Sequence, residues 1–209
     1  MPSHRIFAAL YDRLIAVHEK AGLAEMRAEL LGAARGRVLE LGAGTGLNLT
    51  HYGEQVTELV LTEPDPHMAK RLRRHAAERQ LRFEVIEAGA EEIPCDDHSF
   101  DTVVATLVFC TVDDPPRAIV EAARLLKPDG ELLLIEHVRA PNGSRRAAWQ
   151  DRLAAPWSRM VPGCHPNRDT ATALHARFQT TALAPDQMPG RLTGLVKPLI
   201  RGSARPLAE

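Results

Sequence analysis

Between residues 37 and 138 the chain repeats one form: a short aliphatic or β-branched run, a turn, then a helical pattern. Parallel strands need a crossover of a dozen or more residues, usually a helix, so this alternation demands a mostly parallel sheet with helices on both faces. Arg37 to Leu41 reads as the first strand, Glu58 to Thr62 as the second and Arg82 to Ile86 as the third. Asp101 to Leu107 and Glu131 to Val138 read as the fourth and fifth. A short helix toward His51 follows the first strand, and longer ones are expected over Met68 to Arg79 and from Pro115 through Leu126. Lys127-Pro128-Asp129-Gly130 stops the last of these. Beyond Ala140 the period is lost until about Arg177, after which Arg177 to Leu183 and Leu199 to Ala204 complete a seven-stranded, doubly wound α/β sheet. Two helices, Ala8 to Val17 and Ala24 to Ala34, are expected ahead of it. The expected organisation is a single domain: a helical cap over 1–35, a core over 36–140, a lid inserted over 141–176 between strands five and six, and C-terminal strands over 177–209.

Composition restricts the partners. Of 209 residues, 44% are apolar and 25% charged, a globular balance that excludes a disordered, collagen-like or coiled-coil chain. Lysine and arginine number 26 against 27 acidic residues, a net charge of −1, so no overall field draws the molecule to nucleic acid or an anionic bilayer. The basic run Lys70, Arg71, Arg73 and Arg74 has the spacing of a wetted helix face, and no nucleic-acid partner is expected. The longest uncharged apolar stretch, Thr102 to Val112, falls short of the ~20 residues that a spanning helix requires. No integral membrane segment is expected, and with no secretory signal recognisable at 1–10 the expected location is the cytoplasm. Cys95, Cys110 and Cys164 include no CxxC pair, so their spacing gives no metal framework and suits a reducing compartment. Monomer and homodimer both stay open.

Glu40-Leu41-Gly42-Ala43-Gly44-Thr45-Gly46 falls at the end of the first strand, where glycines let backbone approach a ligand. The dinucleotide fingerprint G-x-G-x-x-G does not fit, because the third glycine comes one place early and Leu47 stands where a small residue is required. No G-K-S or G-K-T follows, so a phosphate-cradling P-loop fails as well. Glu63 ends the second strand, where a carboxylate can accept two ribose hydroxyls. Glu40, across the crevice, suits an amino-acid ammonium or a bound water and would repel a pyrophosphate. The implied ligand is a nucleoside without phosphates.

These motifs, with Glu87-Ala88-Gly89-Ala90-Glu91-Glu92-Ile93-Pro94 and the turn at 127–130, resemble class I S-adenosylmethionine-dependent methyltransferases over roughly residues 36–140. The resemblance implies S-adenosylmethionine as cofactor and S-adenosylhomocysteine as product. It implies that Gly42, Ala43, Gly44 and Gly46 pack on the methionine part, with Glu40 and Asn48 beside it. Glu63 would bind ribose, and the turn at Ala90 and Glu91 would hold adenine. Many relatives have an aspartate where this chain has Gly89, so Pro64 and Met68 are expected to support the adenine instead. Tyr11, with Asp12, falls where relatives fold over the cofactor, although a surface helix explains it equally well. Thr106 and Leu107 complete the expected cofactor contacts.

In this family the residues after the fourth strand mark the acceptor. Here Thr106-Leu107-Val108-Phe109-Cys110-Thr111 is almost entirely apolar. It lacks the Asn/Asp-Pro-Pro-aromatic signature of nucleic-acid amino methylation and the two-glutamate hairpin of arginine methyltransferases. Glu136 alone does not make an octahedral oxygen site, so no metal is expected. A small hydrophobic acceptor remains.

From Thr106 through Ala204 the chain is similar to a narrower group, the alkyl-thiol methyltransferases of the methyltransferase-like family. The likeness rests on T-L-V-F-C-T-V, Glu136-His137-Val138, Trp149, Asp151, Trp157, Gly163-Cys164 and the stretch from Arg168 to Leu174. It implies S-methylation of a small hydrophobic thiol. The alternatives are N-, O- or C-methylation of a lipid, quinone or secondary metabolite and, from another class, a protein that binds the cofactor without turnover. A thiol of pKa about 8.5 is already a few per cent thiolate at neutral pH, so this chemistry requires no strong base. His137, Asp151 and His165, the last with Arg168 beside it, are the candidate catalytic residues. The competing readings are a satisfied buried histidine for His137, and an ion pair or helix cap for the other two. Trp149, Leu153 and Trp157, at i, i+4 and i+8, predict a helical stripe packed on the sheet. Cys164 reads as a packing or pocket-lining thiol, since direct transfer needs no covalent enzyme intermediate.

Overall fold

The computed structural model describes residues 15–79, 81–161, 163–190 and 194–208. Among them a seven-stranded sheet runs in the order β3-β2-β1-β4-β5-β7-β6. Strands β1 (Gly36–Leu41), β2 (Val56–Thr62), β3 (Phe83–Ile86), β4 (Phe100–Thr106) and β5 (Leu126–His137) are parallel. The antiparallel β7 (Pro198–Pro206) lies between β5 and β6 (Phe178–Gln187). Strand order reverses at β1, whose neighbours are β2 and β4, and in open α/β sheets the crevice beyond such a switch point takes the ligand. The helices are α1 (Ala24–Leu31), α2 (Pro66–Ala77), α3 (Pro115–Leu125), α4 (Arg145–Met160) and α5 (Thr170–Leu174).

The parallel strands are buried on both faces, as their continuous apolar runs require. Val38, Leu39, Leu59 to Leu61, Val103 to Ala105 and Leu132 to Ile135 are all essentially inaccessible. Two helices start where the sequence provides a cap and a proline. Asp65 accepts from the amides of His67 and Met68 ahead of Pro66, and Asp114 accepts from Arg117 N–H ahead of Pro115. Met68, Ala69, Leu72 and Ala76 then present one apolar face of α2 to the core.

Several boundaries differ from expectation. The segment toward His51 is a 3₁₀ turn, Leu47–Thr50, and α1 stops at Leu31 after a π-helical turn over Glu19–Leu23. The expected helix at 8–17 falls mostly outside the described residues. Lys127 to Gly130 does not precede β5 but lies within it, as an irregularity between the pairings Phe100↔Leu126 and Thr102↔Glu131. Residues 141–176 are more helical than their lost periodicity suggested, since they carry α4 and α5.

The stripe on α4 is as expected at one end only: Trp157 packs against the core, whereas Trp149 is 52% exposed, with Arg152 over its ring. Gln150 takes the inward position instead. It is fully buried, accepts from Ala140 N–H at 2.7 Å and donates to the carbonyls of Leu195 (2.7 Å) and Val138 (3.2 Å). The need to satisfy loop backbone sets which face of this helix turns inward. No helix among the described residues is long and apolar enough to cross a membrane.

Candidate cofactor and acceptor site

The loop after β1 is shaped by left-handed backbone. Gly44 has φ +59°, and a Cβ added there would meet nothing within 4 Å, so this residue faces open space. Gly46, at φ +91°, serves packing instead, because a Cβ there would lie 2.5 Å from Leu49 Cδ1 and 3.0 Å from Leu72 Cδ1. Gly44 N–H donates to Glu63 Oε2 at 2.8 Å, and Asp65 N–H donates to Glu63 Oε1 at 2.9 Å. The end of β2 is thereby tied to the glycine loop. Burial pushes the Glu63 carboxyl above its ordinary pKa, while the Asp65 and Gly44 amides work in the other direction.

Beside Gly44 lies a polar cleft lined by Arg27, Glu40, Asn48 and Thr106 together with residues 42–45 and Leu47. Asn48 Nδ2 donates to Glu40 Oε1 and to Thr106 Oγ1, each at 3.0 Å. Tyr52 O–H donates to Glu40 Oε2 at 2.6 Å. Arg27 Nη1 donates to Asn48 Oδ1 at 2.8 Å and to Thr106 Oγ1 at 3.0 Å, and its Nε pairs with Glu19 at 3.1 Å. Burial raises the Glu40 carboxyl to about 7, against the hydrogen bonds from Tyr52 and Asn48 and the nearby Arg27 charge. Arg27 was missed in the sequence. The available signal is its place on the apolar stripe Leu23, Arg27, Leu30, Leu31, where a buried cation needs partners.

On the other side of Glu63, Met68 is buried in the first turn of α2 and Pro64 is exposed. Ala90 is buried. The Glu91 carboxylate is engaged elsewhere: Oε1 accepts from Asp113 N–H (2.9 Å) and Asp114 N–H (3.2 Å), which fixes the segment entering α3. Tyr11 and Asp12 lie outside the described residues.

Beyond β4 the chain turns at Leu107, a non-glycine residue held at φ +60°. Val108 N–H (3.0 Å) and Phe109 N–H (2.7 Å) both donate to the buried Glu136 Oε2. Next to this turn His137 Nε2 is 3.1 Å from Cys164 Sγ, which also accepts from Trp157 Nε1 at 3.2 Å. The Cys164 thiol is held well below its usual range, chiefly by its hydrogen bond with Cys110, then by His137 and Trp157, with burial opposing. Burial disfavours the charged form of His137, but contact with Cys164 outweighs it and the net shift is upward.

The other two catalytic candidates are not brought to this spot in the same way. Asp151 is exposed and paired with Arg139 and Asn167. The His165 ring is half-buried, and its backbone N–H donates to Cys110 O at 2.9 Å. Arg168, expected beside His165, donates from Nη1 to Phe109 O (2.8 Å) and Val112 O (2.6 Å). It clamps the segment between α4 and α5 onto the turn after β4.

The methyltransferase-domain family matches residues 39–134. The chain is 38% identical to the thiol S-methyltransferase TMT1B of Homo sapiens over 182 residues, which span 83% of this chain and 73% of that protein. The chain belongs to the S-adenosylmethionine-dependent methyltransferase family. Rat (Rattus norvegicus) TMT1B is 40% identical over 138 residues, 64% of this methyltransferase and 55% of the rat protein's own length. A solved SAM-dependent methyltransferase from Thermotoga maritima superposes with a TM-score of 0.66 at 25% identity, covering 95% of this chain and 97% of its own. The methyltransferase's cleft fits the family's cofactor. Gly44 leaves open the volume that any side chain would fill, and carboxylates stand on both sides of it at Glu40 and Glu63.

Proposed function

We propose that this methyltransferase transfers a methyl group from S-adenosylmethionine to a small apolar thiol. The cofactor supplies an electrophilic methyl group on a sulfonium. Glu63, already held by two backbone amides, accepts the ribose hydroxyls. Glu40 faces the amino-acid ammonium, while Asn48 and Arg27 keep that carboxylate oriented and offer donors for the opposite charge. Met68, Pro64 and the backbone at Ala90 and Glu91 flank the adenine.

The single observation that carries the acceptor reading is the character of the wall after β4. Leu107, Val108 and Phe109 are apolar, and the polar groups beside them are the soft set Cys110, His137 and Cys164. The carboxylate beside them, Glu136, is buried and already accepts from the Val108 and Phe109 amides, so the wall as a whole is apolar and suits a polarisable sulfur. Kinship with the thiol S-methyltransferases supports the same choice. Catalysis is then positioning: acceptor sulfur, methyl carbon and leaving sulfur in line, with reacting atoms about 3–3.5 Å apart. His137 orients the acceptor or takes its proton at the imidazole. The lid, clamped by Arg168, keeps solvent out.

The deciding experiment presents small alkyl thiols, amines, phenols and quinones with methyl-labelled cofactor and identifies products by mass spectrometry. S-methyl products from the thiols are expected. Label found only on nitrogen, oxygen or carbon, or saturable cofactor binding with no product across the panel, would overturn the reading.

A further inference from the structure

The lid and the sheet meet at three buried side chains drawn from distant parts of the sequence. Cys110 follows β4, His137 ends β5 and Cys164 follows α4, with exposures of 1%, 3% and 5%. Their ligand atoms, two Sγ and one imidazole nitrogen, all lie within 4.8 Å of one another. In a tetrahedral centre with bonds of about 2.0–2.3 Å, donor atoms stand closer than about 4 Å, so this cluster needs only small side-chain movements to close on one ion.

Contacts other than those among the three side chains hold the cluster together. His165 N–H donates to Cys110 O at 2.9 Å, and Arg168 bonds the carbonyls on either side, at Phe109 and Val112. Gly163 has φ +76°, and a Cβ there would sit 3.0 Å from Thr111 O, so glycine lets the turn carrying Cys164 press against the turn carrying Cys110. Trp157 Nε1, already on Cys164 Sγ, is the kind of outer donor that orients a ligating sulfur. Two buried polar atoms beside the cluster, His137 Nδ1 and Glu136 Oε1, have no hydrogen-bond partner among the described residues. An orphaned imidazole nitrogen and carboxyl oxygen together mark a polar surround that the described residues leave incomplete.

We propose that Cys110, His137 and Cys164 bind one borderline-soft divalent cation, zinc by its donor preference, with three protein ligands and a fourth position free for a small sulfur ligand. Two thiolates and a neutral imidazole match zinc and select against magnesium and calcium, which take oxygen ligands. The cysteine spacing hides this site because no two ligands share a local segment, so the proposal departs from the expectation of no metal. Three ligands with one open position is the arrangement of reactive rather than purely structural zinc. Resting on the proposed thiol-methylating function, the fourth ligand is the acceptor thiol; with the ion in place His137 serves as ligand and orienting group, and the thiol proton leaves to solvent as the acceptor enters. The ion also fastens the lid to the sheet.

Cobalt(II) tests the site because it occupies zinc positions and reports thiolate ligation by absorption. The whole reduced, metal-stripped protein is titrated with Co2+ in the absence of cofactor. Binding of one ion per chain with thiolate-to-cobalt charge-transfer bands is expected, with displacement by Zn2+. Absence of those bands, or binding without them, overturns the site whatever the catalytic activity proves to be. Cys164→Ser and Cys110→Ser should each diminish the bands, while Cys95→Ser should leave them intact. Bands that persist unchanged in both of the first two variants would equally overturn it. Adding a small alkyl thiol to the cobalt-loaded protein should shift the spectrum; an unshifted spectrum removes the fourth-ligand claim, and detection of S-methyl products would then show that thiol methylation proceeds without it.

Discussion

The amide of Gly44 and the carboxylate of Glu63 are joined at 2.8 Å, so the strand that supplies the glycine loop and the strand that supplies the proposed sugar-binding acid move as one piece. A hydrogen bond to a charged group contributes about 1.5–3 kcal/mol. Glu63→Gln keeps the shape but loses the charge and at least one acceptor, and should weaken S-adenosylmethionine binding roughly 10- to 100-fold. Isothermal calorimetry measures this directly. Unaltered affinity would mean that the sugar does not lie on Glu63.

Two glycines two residues apart should respond differently. Each costs about 1–2 kcal/mol when replaced, because an L side chain must adopt left-handed backbone. At Gly44 nothing else is in the way, so Gly44→Val should leave a folded protein that no longer binds the cofactor. At Gly46 the new methyl would overlap Leu49 and Leu72, which adds roughly 1–3 kcal/mol of overpacking. Gly46→Ala should therefore lower the melting temperature by more than Gly44→Ala. Equal losses of stability at the two positions would contradict this division of roles.

How much of this was legible depends on whether the signal is local. The glycine loop, Glu63 and the five parallel strands follow from short runs whose chemistry is decided within a few residues, and they fall within a residue or two of expectation, apart from the early start of β5. Arg27 escaped because the partners that place it in the cleft, Asn48 and Thr106, lie 21 or more residues away, and Arg168 was named beside His165 without the carbonyls of Phe109 and Val112 that it holds, 56 or more residues away. The start of the α4 stripe was misjudged for the same reason: Trp157 packs on the core, but Gln150 rather than Trp149 turns inward, to satisfy backbone at Ala140 and Leu195, which no helical period encodes. Asp151 looked like a candidate acid by sequence, whereas its pairing with Arg139 depends on how α4 docks.

Arg168 offers a test of the proposed lid apart from chemistry. Its Nη1 holds the carbonyls of Phe109 and Val112, and losing both should cost about 2–4 kcal/mol. For a chain of this size that lowers the melting temperature by roughly 5–15 °C. Arg168→Ala should also raise the acceptor KM several-fold while cofactor affinity changes less than twofold, since none of its partners lines the polar cleft. A larger effect on cofactor than on acceptor would place the clamp on the wrong substrate.

Glu40 should make both stability and cofactor binding depend on pH. Its folded pKa, about 7 against an ordinary 4.5, means that the folded state binds a proton more tightly than the unfolded chain. The stabilisation is complete below pH 4.5, falls as pH rises and is gone above about 7, so this residue alone makes the fold less stable with rising pH across that window. The full difference amounts to about 3 kcal/mol. Binding has the opposite sign, because an ammonium pairs with the ionised carboxylate, and affinity should climb as pH passes through 7. Glu40→Gln should remove both slopes, as read from urea unfolding and calorimetric titration at pH 5, 6, 7 and 8. Parallel pH profiles for the variant and the parent protein would show that Glu40 does not titrate in this range.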